Sequence, residues 1–280
     1  MIIITGGAGF VGSMLAQKLH EKDVQFRIVD SKEPKKFKDC FVRTDITQYE
    51  ELLKVLSEDD IVVHLAALTN AHESDKKKKT YFKVNVEGTF NVVSACQEKE
   101  CKKIIFTSSV AVYDPEQKGV IREDSPLKPQ NFYGVSKVLG EILVKTSGIN
   151  YVILRPSNGY GKGGHGVINT FVEKIKKGEH IEIWGSGDQE RDYIHIDDFV
   201  NAIMLAVENG HGTYNISAGR NASVNEIVEL IKKNAGSSVK VKKVQVDEKE
   251  IHYFISNQKA KQELGFEPKV SLEEGIKGLL

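Results

Sequence analysis

Tyr133 and Lys137 stand four residues apart in the run Tyr133-Gly134-Val135-Ser136-Lys137, so on a helix a phenol and an ammonium project from one face. A tyrosine with a pKa near ~10 is a poor base at neutral pH. Positive charge beside it favours the phenolate and brings that value toward the working range. Tyr133 could then take a proton from a hydroxyl group. Ahead of this pair, Thr107-Ser108-Ser109 closes a β-branched run, and the Ser109 hydroxyl could donate a hydrogen bond to the oxygen of a reacting molecule. Tyr-x-x-x-Lys also arises by chance on many helices, so its meaning depends on the company it keeps.

That company begins at the N-terminus. Thr5-Gly6-Gly7-Ala8-Gly9-Phe10-Val11-Gly12 follows a short apolar run and opens an amphipathic one. Glycines in such a turn let backbone approach a pyrophosphate, and the free N–H groups of the following helix stabilise its charge. Asp30 ends the next apolar run, and its carboxylate can accept hydrogen bonds from ribose hydroxyls while repelling a 2′-phosphate, which favours NAD over NADP. A turn cap is the alternative for Asp30. Asp45-Ile46 is a candidate adenine contact, with a helix N-cap as the competing role for Asp45. An oxidised nicotinamide supplies the second positive charge near Tyr133 and accepts hydride from the carbon whose hydroxyl is deprotonated.

These residues need a scaffold that gathers strand ends and helix starts. β-Branched runs at Ile2–Thr5, 26–29, 41–44, 61–65, Lys103–Thr107 and 151–154 alternate with amphipathic stretches near 11–21, 49–57, 80–100 and 133–146. This alternation predicts an α/β chain with a parallel sheet. After Pro156 glycines crowd 159–166 and the elements shorten, which marks a second, smaller lobe from about residue 157. The chain has 280 residues, about two units at roughly 150 residues each. Its 39 basic and 39 acidic side chains cancel, which argues against nucleic acid as the main partner. The apolar run at 61–68 is too short to span a membrane. Cys40, Cys96 and Cys101 form neither a disulfide framework nor a zinc motif, so a reduced, cytoplasmic setting and no metal are expected. Ile2-Ile3-Ile4 start at once, so no targeting leader is expected. The lysine run 76–79 reads as a solvated loop.

The ordered motifs resemble the extended short-chain dehydrogenase/reductase superfamily, and within it the NAD-dependent epimerase/dehydratase family acting on nucleotide sugars. They are the glycine turn, His64-Leu65-Ala66-Ala67, Asn85-Val86-Glu87-Gly88-Thr89, Ser108-Ser109 with Val112-Tyr113, and the Tyr133/Lys137 pair. They continue through Leu154-Arg155-Pro156-Ser157-Asn158-Gly159-Tyr160-Gly161, Gly185-Ser186-Gly187, Arg191-Asp192-Tyr193-Ile194-His195 and Leu264-Gly265-Phe266-Glu267-Pro268. The resemblance implies a Rossmann-type doubly wound parallel sheet with a smaller C-terminal α/β substrate lobe. Residues 1–157 would bind NAD, a segment of about 192–217 would return to that domain, and 158–280 would mainly hold a nucleoside-diphosphate sugar. Carried over, Tyr133 transfers the proton, Lys137 holds the nicotinamide ribose and tunes Tyr133, and Ser109 orients the sugar hydroxyl. Gly6, Gly9, Phe10, Val11, Gly12, Asp30, Asp45, Ile46, Leu65, Ala66, Ala67 and Asn85 complete the cofactor site. Asn158 and Arg191 would meet the diphosphate. A guanidinium suits phosphate oxygens on its own account, although an ion pair with Asp192 or Asp188 would also occupy Arg191. His195 reads as a helix cap rather than an acid. A homodimer through 80–100 and Phe132–Lys145 is implied as well.

Three positions depart from the pattern. Dehydratases of the family carry Asp-Glu after the active-site hydroxyl residue, where this chain has Val110 and Ala111, which cannot move protons. Asp114 stands where many relatives have glycine. The C-terminal arginine clamp is missing from Val246-Asp247-Glu248-Lys249. The expected activity is therefore an NAD-dependent epimerisation of a nucleotide sugar, at C4, through a transient keto sugar. The alternative is an NAD(P)H-dependent reductase or dehydrogenase of a nucleotide-linked keto sugar, and 4,6-dehydration is disfavoured.

Overall fold

A computed structural model describes residues 1–236, 240–245 and 253–280. The first half alternates strands and helices: β1 (Ile2–Thr5), α1 (Phe10–Glu21), β2 (Phe26–Asp30), β3 (Phe41–Arg43), α2 (Tyr49–Val55) and β4 (Ile61–His64). Short helices α3 (Ala71–Ser74) and α4 (Lys78–Tyr81) lead into α5 (Gly88–Glu98), β5 (Lys103–Thr107), β6 (Val120–Ile121), α6 (Phe132–Lys145) and β7 (Tyr151–Pro156). The second half holds β8 (Asn158–Tyr160), α7 (Val167–Lys176), β9 (Ile181–Trp184), β10 (Glu190–His195), α8 (Ile196–Glu208) and β11 (Gly212–Ile216). It closes with β12 (Asn221–Ser223), α9 (Val224–Ala235), β13 (Val241–Val244), β14 (Phe254–Ile255), α10 (Gln258–Leu264) and α11 (Leu272–Lys277).

Seven parallel strands form one sheet in the order β11-β7-β5-β4-β1-β2-β3. The order runs outward in both directions from β1 and β4, so the crevice at their C-terminal ends is the switch point where such sheets bind ligands. Strands β1, β4, β5 and β7 are nearly all buried because helices cover both faces. One core cluster joins α1, α8 and α10 to one face, and another joins α2, α5 and α6 to the other. A third cluster belongs to the second lobe, where α7, α9 and α11 pack on β9, β10 and β12.

The single helix expected over 80–100 is broken. Residues Phe82–Glu87 form a π-helical turn between α4 and α5. Its cause is local: Asn85 turns inward and hydrogen-bonds the backbone of Leu68, accepting from its N–H at 2.8 Å and donating to its O at 2.9 Å. The stretch expected over 49–57 stops at Val55, where Leu56 adopts an extended backbone. Among the described residues, no helix is long and apolar enough to cross a membrane. No group of three His, Cys, Asp or Glu among them is placed to hold a metal ion.

Candidate active site

The dinucleotide end is built where β1 meets α1. Gly6 has φ +71°, and a Cβ there would strike the Ala66 backbone at 2.6 Å, so only glycine lets the turn lie against the end of β4. α1 starts at Phe10 with Gly9 as its N-cap, no side-chain cap and no acidic residue in its first turn. The N–H groups of Phe10, Val11 and Gly12 are thus available to an anion. A Cβ at Gly9 would meet only Gly6 O, at 3.2 Å, so the turn is open on its outer side. These residues fit a dinucleotide pyrophosphate.

Asp30 takes the turn-bracing role that was its alternative. One carboxylate oxygen accepts from Ala8 N–H at 3.0 Å and the other from Lys32 N–H at 2.9 Å, which fixes the glycine turn to β2 and leaves lone pairs for ribose. Leu65 N–H donates to Thr5 O at 3.1 Å and Ala66 N–H to the Thr5 hydroxyl at 3.4 Å, placing 65–67 beside the turn. Three expectations need correction. Asp45 does not cap a helix, because α2 begins after Gln48; its carboxylate accepts from Thr47 N–H at 2.9 Å. Ile46 points into the core beside Gly88, which leaves only its backbone for a cofactor. Asn85 is 2% exposed and spends its amide on Leu68 and the Ser136 hydroxyl, so it braces the 65–68 segment instead of facing a ligand.

The catalytic end lies one strand over. Asn131 caps α6 by accepting from Gly134 N–H at 2.9 Å, and this sets the first turn that carries Tyr133. Lys137 follows one turn on, buried, and donates to Thr107 O at 2.7 Å at the end of β5. Its Nζ lies 5.1 Å from the Phe106 ring centroid and 5.9 Å from that of Tyr133. Ser109 accepts from Ala111 N–H at 3.1 Å, and its hydroxyl lies near enough to the Tyr133 phenol to act on its ionisation. Tyr133, Lys137 and Ser109 therefore meet at one place.

Their electrostatics correct the sequence reading. In the protein alone the Tyr133 phenol is not acidified: burial pushes it up to about 12, against the Ser109 hydroxyl that pulls it down. Burial also lowers Lys137 to about 8, and the nearby Glu141 carboxylate works the other way. The ammonium, 5.9 Å from the centre of the phenol ring, is anchored on Thr107 O, and desolvation of the phenol wins. The charge needed for a phenolate must then come largely from an oxidised nicotinamide.

At the substrate end, Asn158 pairs with Tyr193 across β8 and β10 and donates to Asp192 O at 2.9 Å. Arg191 lies over the Tyr253 ring, 5.2 Å from its centroid, and donates to Glu190 O at 2.8 Å. Nearby, Asp192 accepts from the Ser157 hydroxyl and the Ala218 N–H, and Asp188 accepts from the Asn225 amide. His195 caps α8, accepting from Asp197 N–H at 3.3 Å. The 246–249 segment, where the family's arginine clamp is missing from the sequence, lies outside the described residues.

Three participants escaped the motif reading. Trp184 is 62% exposed and lines a cavity of about 440 Å³ with His72, Thr170, Lys174 and Gln189. A lone tryptophan ending a strand just before Gly185-Ser186-Gly187 was its available signal. Tyr253, which underlies Arg191 and lies beside Asn158, had no local signal. Glu141, one turn beyond Lys137, was visible only as spacing.

Comparison with known proteins gives a consistent result. The sequence pattern of the NAD dependent epimerase/dehydratase family matches residues 2–217. A putative UDP-glucose 4-epimerase of Methanocaldococcus jannaschii is 34% identical, over 99% of this chain and 96% of that protein. The crystal structure of Thermotoga maritima UDP-glucose 4-epimerase with UDP-glucose superposes with a TM-score of 0.90 at 31% identity, covering 99% of this chain and 96% of that one. The dTDP-glucose 4,6-dehydratase of Streptomyces venezuelae, solved with NAD bound, gives 0.89 at 26% identity, over 99% and 94%.

Proposed function

The chain belongs to the NAD-dependent epimerase/dehydratase family, and from that premise we propose that it inverts C4 of a uridine-diphosphate hexose through a transient 4-keto sugar. The observation that carries this reading is the meeting of Ser109, Tyr133 and Lys137 at the C-terminal edge of the sheet, with no acid beside them at 110–111. Ser109 holds the C4 oxygen, and Tyr133 accepts its proton and later returns it. Lys137 keeps one donor on Thr107 O and offers the others to the cofactor ribose and the phenolate. Bound NAD supplies the acceptor and the source of the C4 hydride. Asn158 and Arg191 hold the diphosphate, and the Trp184 indole carries the base.

Dehydratases are close relatives, so the chemistry after oxidation decides between the two activities. Elimination of water from the sugar needs a further acid and base next to Ser109. Val110 and Ala111 provide neither, which supports epimerisation. Exposed Phe90 on α5 and Ile142 on α6 support a homodimer through those helices, which a monomeric mass by light scattering would refute. Three free thiols support a cytoplasmic setting.

The test is incubation of the purified protein with UDP-glucose. The expected result is a second UDP-hexose with no net change in nicotinamide absorbance. Stoichiometric loss of reduced cofactor with a keto sugar would make it a reductase, and a 4-keto-6-deoxy product would make it a dehydratase.

A further inference from the structure

We infer that Asp192 is a positioning residue that sets the diphosphate-binding pair Asn158 and Arg191 in place; this rests on the nucleotide-sugar reading above. Asp192 is 1% exposed, and its groups reach two other segments of the chain, 157–158 and 218–220. One carboxylate oxygen accepts from the Ser157 hydroxyl and from Ala218 N–H at 2.8 Å, and the other accepts from Arg220 N–H at 3.2 Å. Its own backbone oxygen accepts from the Asn158 amide at 2.9 Å. The residue before it is Arg191, and the residue before Asn158 is Ser157. Both diphosphate ligands are thus held, directly or through a neighbour, by one side chain and one peptide.

The loop that meets the carboxylate is shaped for it. Gly219 has φ +73°, a left-handed turn that lets the N–H groups of 218–220 converge on one anion. β12 then leaves that loop and pairs with β10 in the register Arg191↔Ala222 and Asp192↔Asn221. Successive strand residues point to opposite faces, so an anchored Asp192 turns Arg191 to the other side of β10. A buried carboxylate satisfied only by neutral donors is costly compared with an apolar side chain of the same size. It is understandable where the position of its neighbours matters more than packing.

The test uses Asp192→Asn, whose amide nitrogen cannot accept from the loop N–H groups. Trp184 is the chain's one tryptophan and lines the cavity, so its fluorescence reports nucleotide binding. UDP affinity should fall about tenfold or more while uridine affinity stays at the wild-type value, since only UDP carries the diphosphate. KM for the UDP-sugar should rise by the same factor, with kcat within about twofold and NAD content unchanged. Ser157→Ala, which removes a single bond to the carboxylate, should give the same split at about threefold and guards against a misfolded Asp192 variant. Equal loss of uridine and UDP affinity, or a fall in kcat at constant KM, would overturn the inference. A wild-type protein that binds uridine but not UDP would overturn the nucleotide-sugar reading itself.

Discussion

The proposed catalytic half and the proposed diphosphate half of the cleft use the same local device in opposite electrostatic settings. In each, a buried carboxylate takes the hydroxyl of the serine that precedes a functional residue: Glu141 takes Ser108, before Ser109, at 2.6 Å, and Asp192 takes Ser157, before Asn158. Glu141 also faces a guanidinium. Arg155, 1% exposed, donates Nε and Nη2 to its two oxygens at 2.8 and 2.6 Å, and passes Nη1 to the Tyr113 hydroxyl at 2.6 Å. Tyr113 in turn donates to Asn215 on β11 at 2.6 Å. Burial raises the Glu141 carboxyl, but Arg155, Ser108 and Lys145 together bring it below the usual range. Asp192 meets hydroxyl and peptide donors, and burial leaves it above that range. The half that must hold a phenol and an ammonium to a fixed distance is tied by a paired charge spanning α6, β7 and β11. The half proposed to receive the diphosphate keeps its own anion on a serine hydroxyl and peptide N–H groups.

The sharpest way to break this comparison is Tyr133→Phe. It should lower kcat about a thousandfold, while bound NAD and UDP affinity stay at their wild-type values. An ultraviolet titration should show a phenol that ionises near neutral pH only when NAD⁺ is bound, and none in the variant. A neutral-range phenolate in the cofactor-free protein would mean that Lys137 alone acidifies Tyr133.

Glu141→Gln probes the same half through stability. Removing one partner of the buried pair strands Arg155 and should cost about 3–5 kcal/mol at neutral pH. The sign with pH follows from the lowered carboxyl. Its contribution is present above the unfolded-state pKa and is lost as pH falls through the folded value. Melting temperatures of wild type and variant should therefore converge on acidification. Curves that stay parallel to low pH would show that the charge of Glu141 is not what binds α6 to β7.

How far the sequence reached follows the range of the interactions. Tyr133, Lys137 and the glycine turn were legible because their geometry is local: one helical turn, one strand-to-helix junction. The doubly wound parallel sheet followed from ordered motifs. The direction of Ile46 and Asn85 was not legible, since a motif names a residue but not which side of a π-helical turn it faces. The two carboxylate–serine pairs lie 33 and 35 residues apart, and no local pattern announces them. The upward shift of Tyr133 in the protein alone was not legible for another reason. Spacing reveals a neighbouring charge, whereas desolvation depends on everything packed around the phenol.

Trp184→Ala has the smallest expected effect and separates the diphosphate from the base. The indole stands at the end of β9, exposed, while Ile183 beside it is buried in the lobe core, so truncation should leave the fold intact. A base stacked on that ring would lose about 1 kcal/mol, roughly fivefold in affinity. The loss should be equal for uridine and UDP by calorimetry, because both carry the base. Asp192→Asn should weaken UDP alone, and the two variants together should act additively, since one touches the base and the other the phosphates. Weakening of UDP with uridine unaffected in Trp184→Ala would move the base out of this cavity, and the aromatic at 184 would then have to act on the diphosphate half that Asp192 holds.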